Sequence, residues 1–235
     1  MEIDLEIIEL IKQNRISTTE VADALGKSGG IPNVSPLCHS KFAVGKIRLI
    51  TPRNNSNYIV HEEAVRVNPG EIVYIKPIDF SNVAVFGDLV AKYILLYKQA
   101  SAIVVEGNVR DTARLVKENY PIWSMGSNPV GAVNNKTHFD ANVNNSEFDE
   151  LNDGIGICDE GGVVVIPANK INEETYRKLK HIEQLEDLWH YCLNTLKWST
   201  YDIVVKKRYL IENDEIPRRL LNGILNDEKE NSANQ

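Results

Sequence analysis

Three short apolar runs, Val83-Ala-Val-Phe86, Ile103-Val-Val105 and Ile122-Trp123, are separated by stretches of helical periodicity. No other feature constrains the chain as much, because strand, helix, strand, helix, strand is α/β organisation. The first run stops at Gly87, and Asp88 to Lys98 reads as a helix with Asp88 in its first turn. The second is followed by Gly107-Asn108, read as a turn, and by a helix over Asp111–Asn119. Pro121 then precedes the third strand.

The flanks are read the same way. Residues 3–13 carry a loosely helical apolar stripe, and Ser17-Thr-Thr-Glu20 is a capping box opening a helix that Gly26 ends. Phe42–Leu49 and Glu71–Ile75 are strand-like, with one or two helical turns in HEEAVRV between them. Residues 133–152, rich in Asn and Asp, read as loops or irregular edge strands. The segment GIGICDEGGVVVIP reads as a tight hairpin around Asp159–Gly162.

Residues 172–196 predict a long amphipathic helix with Leu179, Ile182, Leu185, Trp189, Cys192 and Leu196 along one face. That face covers the sheet or meets a second subunit. YDIVVKKRYL reads as strand-like, IPRRLLNGIL as helix-like, and NDEKENSANQ as disordered. With no repeat and no linker, the expectation is one domain, 1–200, and a C-terminal extension, 201–235.

Composition excludes some partners. A net charge of −7 and a pI near 5.3 argue against nucleic acid, which needs a basic face. Lys206-Lys207-Arg208 reads as a solvated edge. The 3 cysteines lie far apart without a CxxC pair, and the 5 histidines show no HxxxH spacing, so no zinc or redox site is expected. The opening MEIDLEIIELIKQN lacks the order of a signal peptide, and no apolar run approaches the roughly 18–20 residues of a membrane span. A soluble cytoplasmic protein is expected.

The chemistry concentrates at two helix starts. Ligands of open α/β sheets bind off the carboxyl ends of strands, so if these strands are parallel neighbours both turns face one crevice. At the first, Gly87 lets the backbone approach closely, and the amides of Gly87, Asp88, Leu89 and Val90 suit a small anion. At the second, Arg110 offers a planar charged fork for a carboxylate or enolate oxygen, and Asp111 a hard oxygen ligand for magnesium. An aspartate opening a helix also reads as a plain cap, and its arginine neighbour as half of a surface ion pair.

STTEVADAL (17–25), GDLVAKY (87–93), AIVVEGNVRDTARL (102–115), YPIW (120–123) and DEGGVVVIP (159–167), in this order, resemble the RraA-like family. That family takes in regulator of ribonuclease E activity A and the class II 4-hydroxy-4-methyl-2-oxoglutarate/4-carboxy-4-hydroxy-2-oxoadipate aldolases. The resemblance implies an α/β/β sandwich of the swivelling β/β/α type, here with the long C-terminal helix, assembled as a homotrimer or hexamer. It assigns the amides of Gly87, Asp88, Leu89 and Val90 to a pyruvate carboxylate, Arg110 to substrate binding and Asp111 to Mg²⁺ or Mn²⁺. Asp88 matches a carboxylate with a part in proton transfer. Arg114 stands where the family often carries an acid, and the link YKQASA is one residue longer and lacks a glycine.

The resemblance thus implies a divalent-metal-dependent lyase. It would cleave a 4-hydroxy-2-oxo (di)carboxylic acid by retro-aldol chemistry to release pyruvate, or decarboxylate oxaloacetate. The alternative is a non-enzymatic regulator of the RraA type that binds and inhibits a ribonuclease or another partner. Regulators of that kind can lack the aspartate after the arginine, so Asp111 favours catalysis.

Overall fold

The computed structural model describes residues 2–136, 146–221 and 224. The chain groups into two compact units, Met1–Asn172 and Glu173–Gln235. Their boundary lies at the start of the long C-terminal helix, which groups with the tail that follows it, and not at residue 200.

The first unit opens with α1 (Ile3–Asn14) and α2 (Thr18–Ala24). The capping box is formed: the Ser17 side chain accepts from the Glu20 amide, and the Glu20 carboxylate accepts from the Ser17 amide. Such a cap is typically worth about 1 kcal/mol. Strands follow as β1 (Ser35–Pro36), β2 (Ala43–Ile50), β3 (Ile72–Ile75), β4 (Ala84–Phe86), β5 (Ala102–Val109), β6 (Ile122–Ser127), β7 (Ile155–Asp159) and β8 (Gly162–Ile166). Helices fill the crossovers: α3 (Tyr58–Ala64) after β2, α4 (Asp88–Lys92) after β4 and α5 (Thr112–Lys117) after β5. A wide π-type turn over Tyr93–Tyr97 prolongs α4, so the expected helix from Asp88 is present with an altered second half.

The sheet order is β1-β6-β5-β3-β2-β7-β8, with β4 paired to the C-terminal end of β5. The pairs β2–β3, β3–β5, β4–β5 and β5–β6 are parallel. The sheet nearly closes on itself, because the segment after α2 reaches both ends. Ile31 donates to Val163 O and Val165 to Gly29 O on β8, while Ser35 and Pro36 pair with β6. The expected mixed α/β/β arrangement is thus present.

Strand alternation explains the layers. Val73, Ile75, Ile103, Val105 and Ile122 face the helices and pack with Val60, Ala91, Ile94 and Leu115. Ile72, Tyr74, Ala102, Val104 and Trp123 face the other way, against Ala43, Ile47, Cys158, Val163 and Val165. A strand buried on both faces must read as a continuous apolar run, and Ala102–Val105 does. Each such Ile or Val contributes about 1.5–3 kcal/mol by leaving water. Two polar ties brace the layers. Arg48 makes a two-pronged pair with Glu71, at 2.6 and 2.9 Å, linking β2 to the start of β3. The Asp159 carboxylate accepts from the Thr18 amide at 2.8 Å and the Thr18 hydroxyl at 2.6 Å, pinning α2 to the hairpin β7–β8.

Three sequence expectations are corrected. Gly107-Asn108 is not a turn: β5 runs on through it to Val109, and its pairing with β6 shifts register between Val105 and Asn108. A methyl group on Gly107 would lie 3.1 Å from the Val85 side chain and 3.3 Å from Pro77, so a close approach accounts for the glycine inside the strand. The Asn/Asp-rich stretch contains a helix, α6 (Ser146–Leu151), while 137–145 lie outside the described residues. YDIVVKKRYL is not a strand; it forms a π-type turn over Tyr201–Val205 and a short 3₁₀ turn over Arg208–Leu210.

The second unit is built on α7 (Glu173–Asn194). Leu188 and Cys192 pack with Ile203, Tyr209, Ile216, Leu221 and Ile224 in a small core of their own. The apolar stripe of α7 therefore folds its own tail onto itself, which explains why the tail is not a strand: its neighbour is a helix face, not a sheet edge. Lys206 pairs with Asp202 at 3.0 Å and Arg208 with Glu212 at 2.6 Å, the solvated edge the charge run suggested. The expected disordered end lies outside the described residues.

Candidate functional site

Because β4 and β5 are parallel neighbours, Gly87 and Arg110 leave the sheet side by side. The Arg110 amide donates to Phe86 O at 3.0 Å, carrying the pairing with the last residue of β4 one residue past the end of β5. Asp88, Arg110 and Asp111 then line one cavity of about 520 Å³, shared with Arg114 and the segment Ser127-Asn128-Pro129 at the end of β6. Three parallel strand ends thus open into the same space, as expected for ligand sites on such sheets.

Gly87 caps α4 with extended dihedrals, φ −134° and ψ −159°, which any residue could adopt. Its glycine is required by space. A methyl group there would collide with the Asp111 carboxylate and lie 2.9 Å from Arg110 Cγ. Gly131 plays the same part on the other side: its methyl would lie 2.5 Å from Arg110 Nη1 and 3.0 Å from Cζ. The guanidinium of Arg110 is laid between two glycines, with its side chain 49% exposed.

Asp111 caps α5 from the left-handed region, φ 58° and ψ 29°, with no side-chain bond to its own helix. Its carboxylate turns instead to the first loop. Oδ2 accepts from the Asp88 amide at 3.3 Å and lies 3.8 Å from Arg110 Nε. The bland alternative, a plain helix cap, does not describe this geometry.

Asp88 departs from its expected setting. Arg114 Nη1 lies 2.5 Å from Asp88 Oδ2. This hydrogen bond from the guanidinium, followed by its charge, holds the Asp88 carboxyl below its ordinary value. Leu89 and Val90 do not reach the cavity with their side chains: Leu89 is 76% exposed, and Val90 is buried among the helix-facing core. Only their backbone amides remain available to the role expected of them.

The donor set bears on the expected metal. Both contacts of the half-exposed Asp111 carboxylate fall on Oδ2, and no group of three or more His, Cys, Asp or Glu is gathered among the described residues. One hard carboxylate, with water completing the shell, is a donor set of the kind magnesium and manganese accept. Sequence reading missed Asn128 and Gly131. Asn128 anchors its loop by donating to Asn82 O and accepting from the Val130 amide at 2.8 Å. A third strand end at Ser127, followed by Asn-Pro-Val-Gly, was the available signal.

A family profile described as RraA-like, Aldolase/RraA, matches residues 18–165. The chain is 27% identical over 177 residues to Protein DlpA of Legionella pneumophila subsp. pneumophila, covering 70% of this chain and 28% of that relative's length. In fold it is similar to an uncharacterized protein from Pseudomonas syringae pv. tomato (TM-score 0.67, 20% identity, covering 86% of this chain and 94% of that one). It is also similar to Streptomyces coelicolor RraAS2, an unusual member of the RNase ES inhibitor RraA protein family (TM-score 0.60, 21% identity, 77% and 94% covered). No helix among the described residues is long and apolar enough to cross a membrane. With the profile spanning the sheet and both turns of the cavity, the chain belongs to the RraA-like family, which includes both lyases and RNase E inhibitors.

Proposed function

We propose that the cavity binds a 2-oxo acid and that the protein is a divalent-metal-dependent carbon–carbon lyase releasing pyruvate from a 4-hydroxy-2-oxo (di)carboxylic acid. The observation that carries this reading is the placement of Arg110. Its guanidinium lies between Gly87 and Gly131, beside a carboxylate held in a strained backbone conformation, in a cavity of substrate size. A surface ion pair needs neither the two glycines nor the strain.

Arg110 binds the 2-oxo and carboxylate oxygens of the substrate and stabilises the negative charge that grows on the 2-oxo oxygen as the C3–C4 bond breaks. Asp111 would hold Mg²⁺ or Mn²⁺, and the ion would supply Lewis-acid polarisation of the same oxygen. Of the opening amides of α4, that of Asp88 already donates to Asp111, which leaves those of Leu89 and Val90 for the substrate carboxylate. Asp88 orients water for removal of the 4-hydroxyl proton. Homo-oligomers of the trimer or hexamer kind fit the family, and the same pocket is suited to oxaloacetate decarboxylation.

Pyruvate release from a panel of 4-hydroxy-2-oxo acids, measured with added Mn²⁺, tests this. Arg110→Ala and Asp111→Ala are each expected to lose about 100-fold or more. Undiminished turnover in either variant defeats the mechanism. A second reading, regulation of a ribonuclease or another partner without catalysis, is favoured by one observation: Arg114 already occupies the Asp88 carboxylate. Inhibition of a ribonuclease that survives Arg110→Ala would select that reading.

A further inference from the structure

Asn57 stands where a helix cap belongs and does not act as one. It is the residue before α3, a position at which an asparagine side chain ordinarily accepts from the first turn of its own helix. Here no such bond forms. The residue is only 8% exposed, and its Nδ2 donates instead to Val85 O on β4 at 3.0 Å. Its Oδ1 is buried with no hydrogen-bond partner among the described residues. A buried acceptor left unpaired costs stability, and so does a cap given up. Stability alone therefore does not account for an asparagine at this position.

The surrounding bonds show what the side chain is tied to. Segment 130–133 runs between β4 and the loop that leads into α3. On one side, the Ala84 amide donates to Val130 O and the Ala132 amide to Ala84 O, both at 2.8 Å. On the other, the Asn57 amide donates to Val133 O and the Val133 amide to Asn55 O, both at 2.9 Å. The Ser56 hydroxyl adds a bond to Asn135 O at 2.5 Å. Asn57 thus holds the segment with its backbone and β4 with its side chain, closing a clamp around Gly131. Gly131 is in turn the backstop of Arg110, since a methyl group there would lie 2.5 Å from Nη1. A guanidinium laid between two glycines has no side chain on either flank to hold it, so the backbone must be fixed from behind.

We propose that Asn57 is a positioning residue for Arg110. By joining β4 to segment 130–133 it fixes Gly131, and through Gly131 the plane in which the guanidinium meets a bound oxyanion. This rests on the cavity being a 2-oxo-acid site and adds to it a residue that is not part of the cavity lining.

The test is a double-variant cycle with a structural arm. Asn57→Ala removes the donor to Val85 O, and Asn57→Ser removes it while keeping a group able to cap α3. Each is expected to lower pyruvate release, measured with Mn²⁺, by about tenfold, as a small displacement of a positioned group does. Placed in the Arg110→Ala background, either change should cost nothing further, because its effect runs through the guanidinium. A merely structural role would lower turnover by the same factor in both backgrounds, and that result overturns the inference. Full activity in a folded Asn57→Ser does the same. Crystal structures of the wild type and Asn57→Ser supply the arm that does not depend on turnover: Gly131 and the Arg110 guanidinium are expected to shift together, on the order of half an ångström or more. An unmoved guanidinium overturns the inference whatever the activity. A wild type that releases no pyruvate removes the proposed function, while the place of Arg110 in the two crystals still decides whether Asn57 positions it.

Discussion

The two turns that make the cavity have the same topology, a parallel strand passing into a helix, yet they meet opposite demands. At the first, Gly87 has an ordinary extended backbone and is a glycine because the neighbouring turn fills the space a side chain would need. At the second, Asp111 sits at φ 58°, where a glycine would be relaxed, and keeps its side chain. One turn gives up a side chain to make room; the other tolerates strain to keep one. Both concessions fall within the same few ångströms around Arg110.

The sharpest way to break this comparison is Gly87→Ala. The added methyl meets the Asp111 carboxylate and Arg110 Cγ, both close to backbone, so neither yields easily. Pyruvate release should fall by about 100-fold, the usual cost of displacing a positioned group by an ångström, and the melting temperature should drop as well, since forcing a methyl group into filled space costs about 1–3 kcal/mol. Gly131→Ala meets only the flexible end of Arg110, and the loss there should be on the order of tenfold. Activity retained in Gly87→Ala would mean that the close approach has no functional meaning.

The second turn is sharpened by comparing two replacements. Asp111→Gly and Asp111→Ala should both lose activity, but urea unfolding should find the glycine variant more stable by about 1 kcal/mol, since only alanine carries the left-handed penalty. Equal stabilities would show that the backbone relaxes once the carboxylate is gone.

The smallest expected effect lies away from both turns and serves as a control. Burial raises the Glu71 carboxyl, but its hydrogen bonds with Arg48 and Asn68 outweigh that and leave it below its ordinary value. A depressed carboxyl adds stability that is fully present above the unfolded value, about 4.3, and lost as pH falls through the folded one. Stability should therefore drop below about pH 4, and Glu71→Gln should flatten that part of the curve. An unchanged slope in the variant would remove Glu71 from the acid response.

Much of the architecture was legible because it is local. The capping box at Ser17–Glu20, the hairpin around Asp159–Gly162 and the apolar run ending at Val105 each carry their instructions in adjacent residues. Gly107 misled because a glycine inside a strand and a glycine in a turn look alike until the partner strand is known. The misreading of Tyr201–Leu210 as a strand came from apolar composition alone, which a tail folded onto α7 also requires. At the site, Arg110, Asp111 and Gly87 were visible. Gly131 was not, because its contact with Arg110 joins two loops that follow different strands, with α5 and β6 between them in the chain.

What the sequence determined by itself was the alternation of strand and helix and the residue types placed at each strand end, since both follow from periodicity and from charge next to an apolar run. Tertiary structure alone decided which strand ends meet. Register between β4 and β5 brings Gly87 against Arg110, and the packing of α4 beside α5 hands Asp88 to Arg114. The reason is physical: a parallel pairing is set by side chains buried on both faces of the sheet, far along the chain from the charges it brings together.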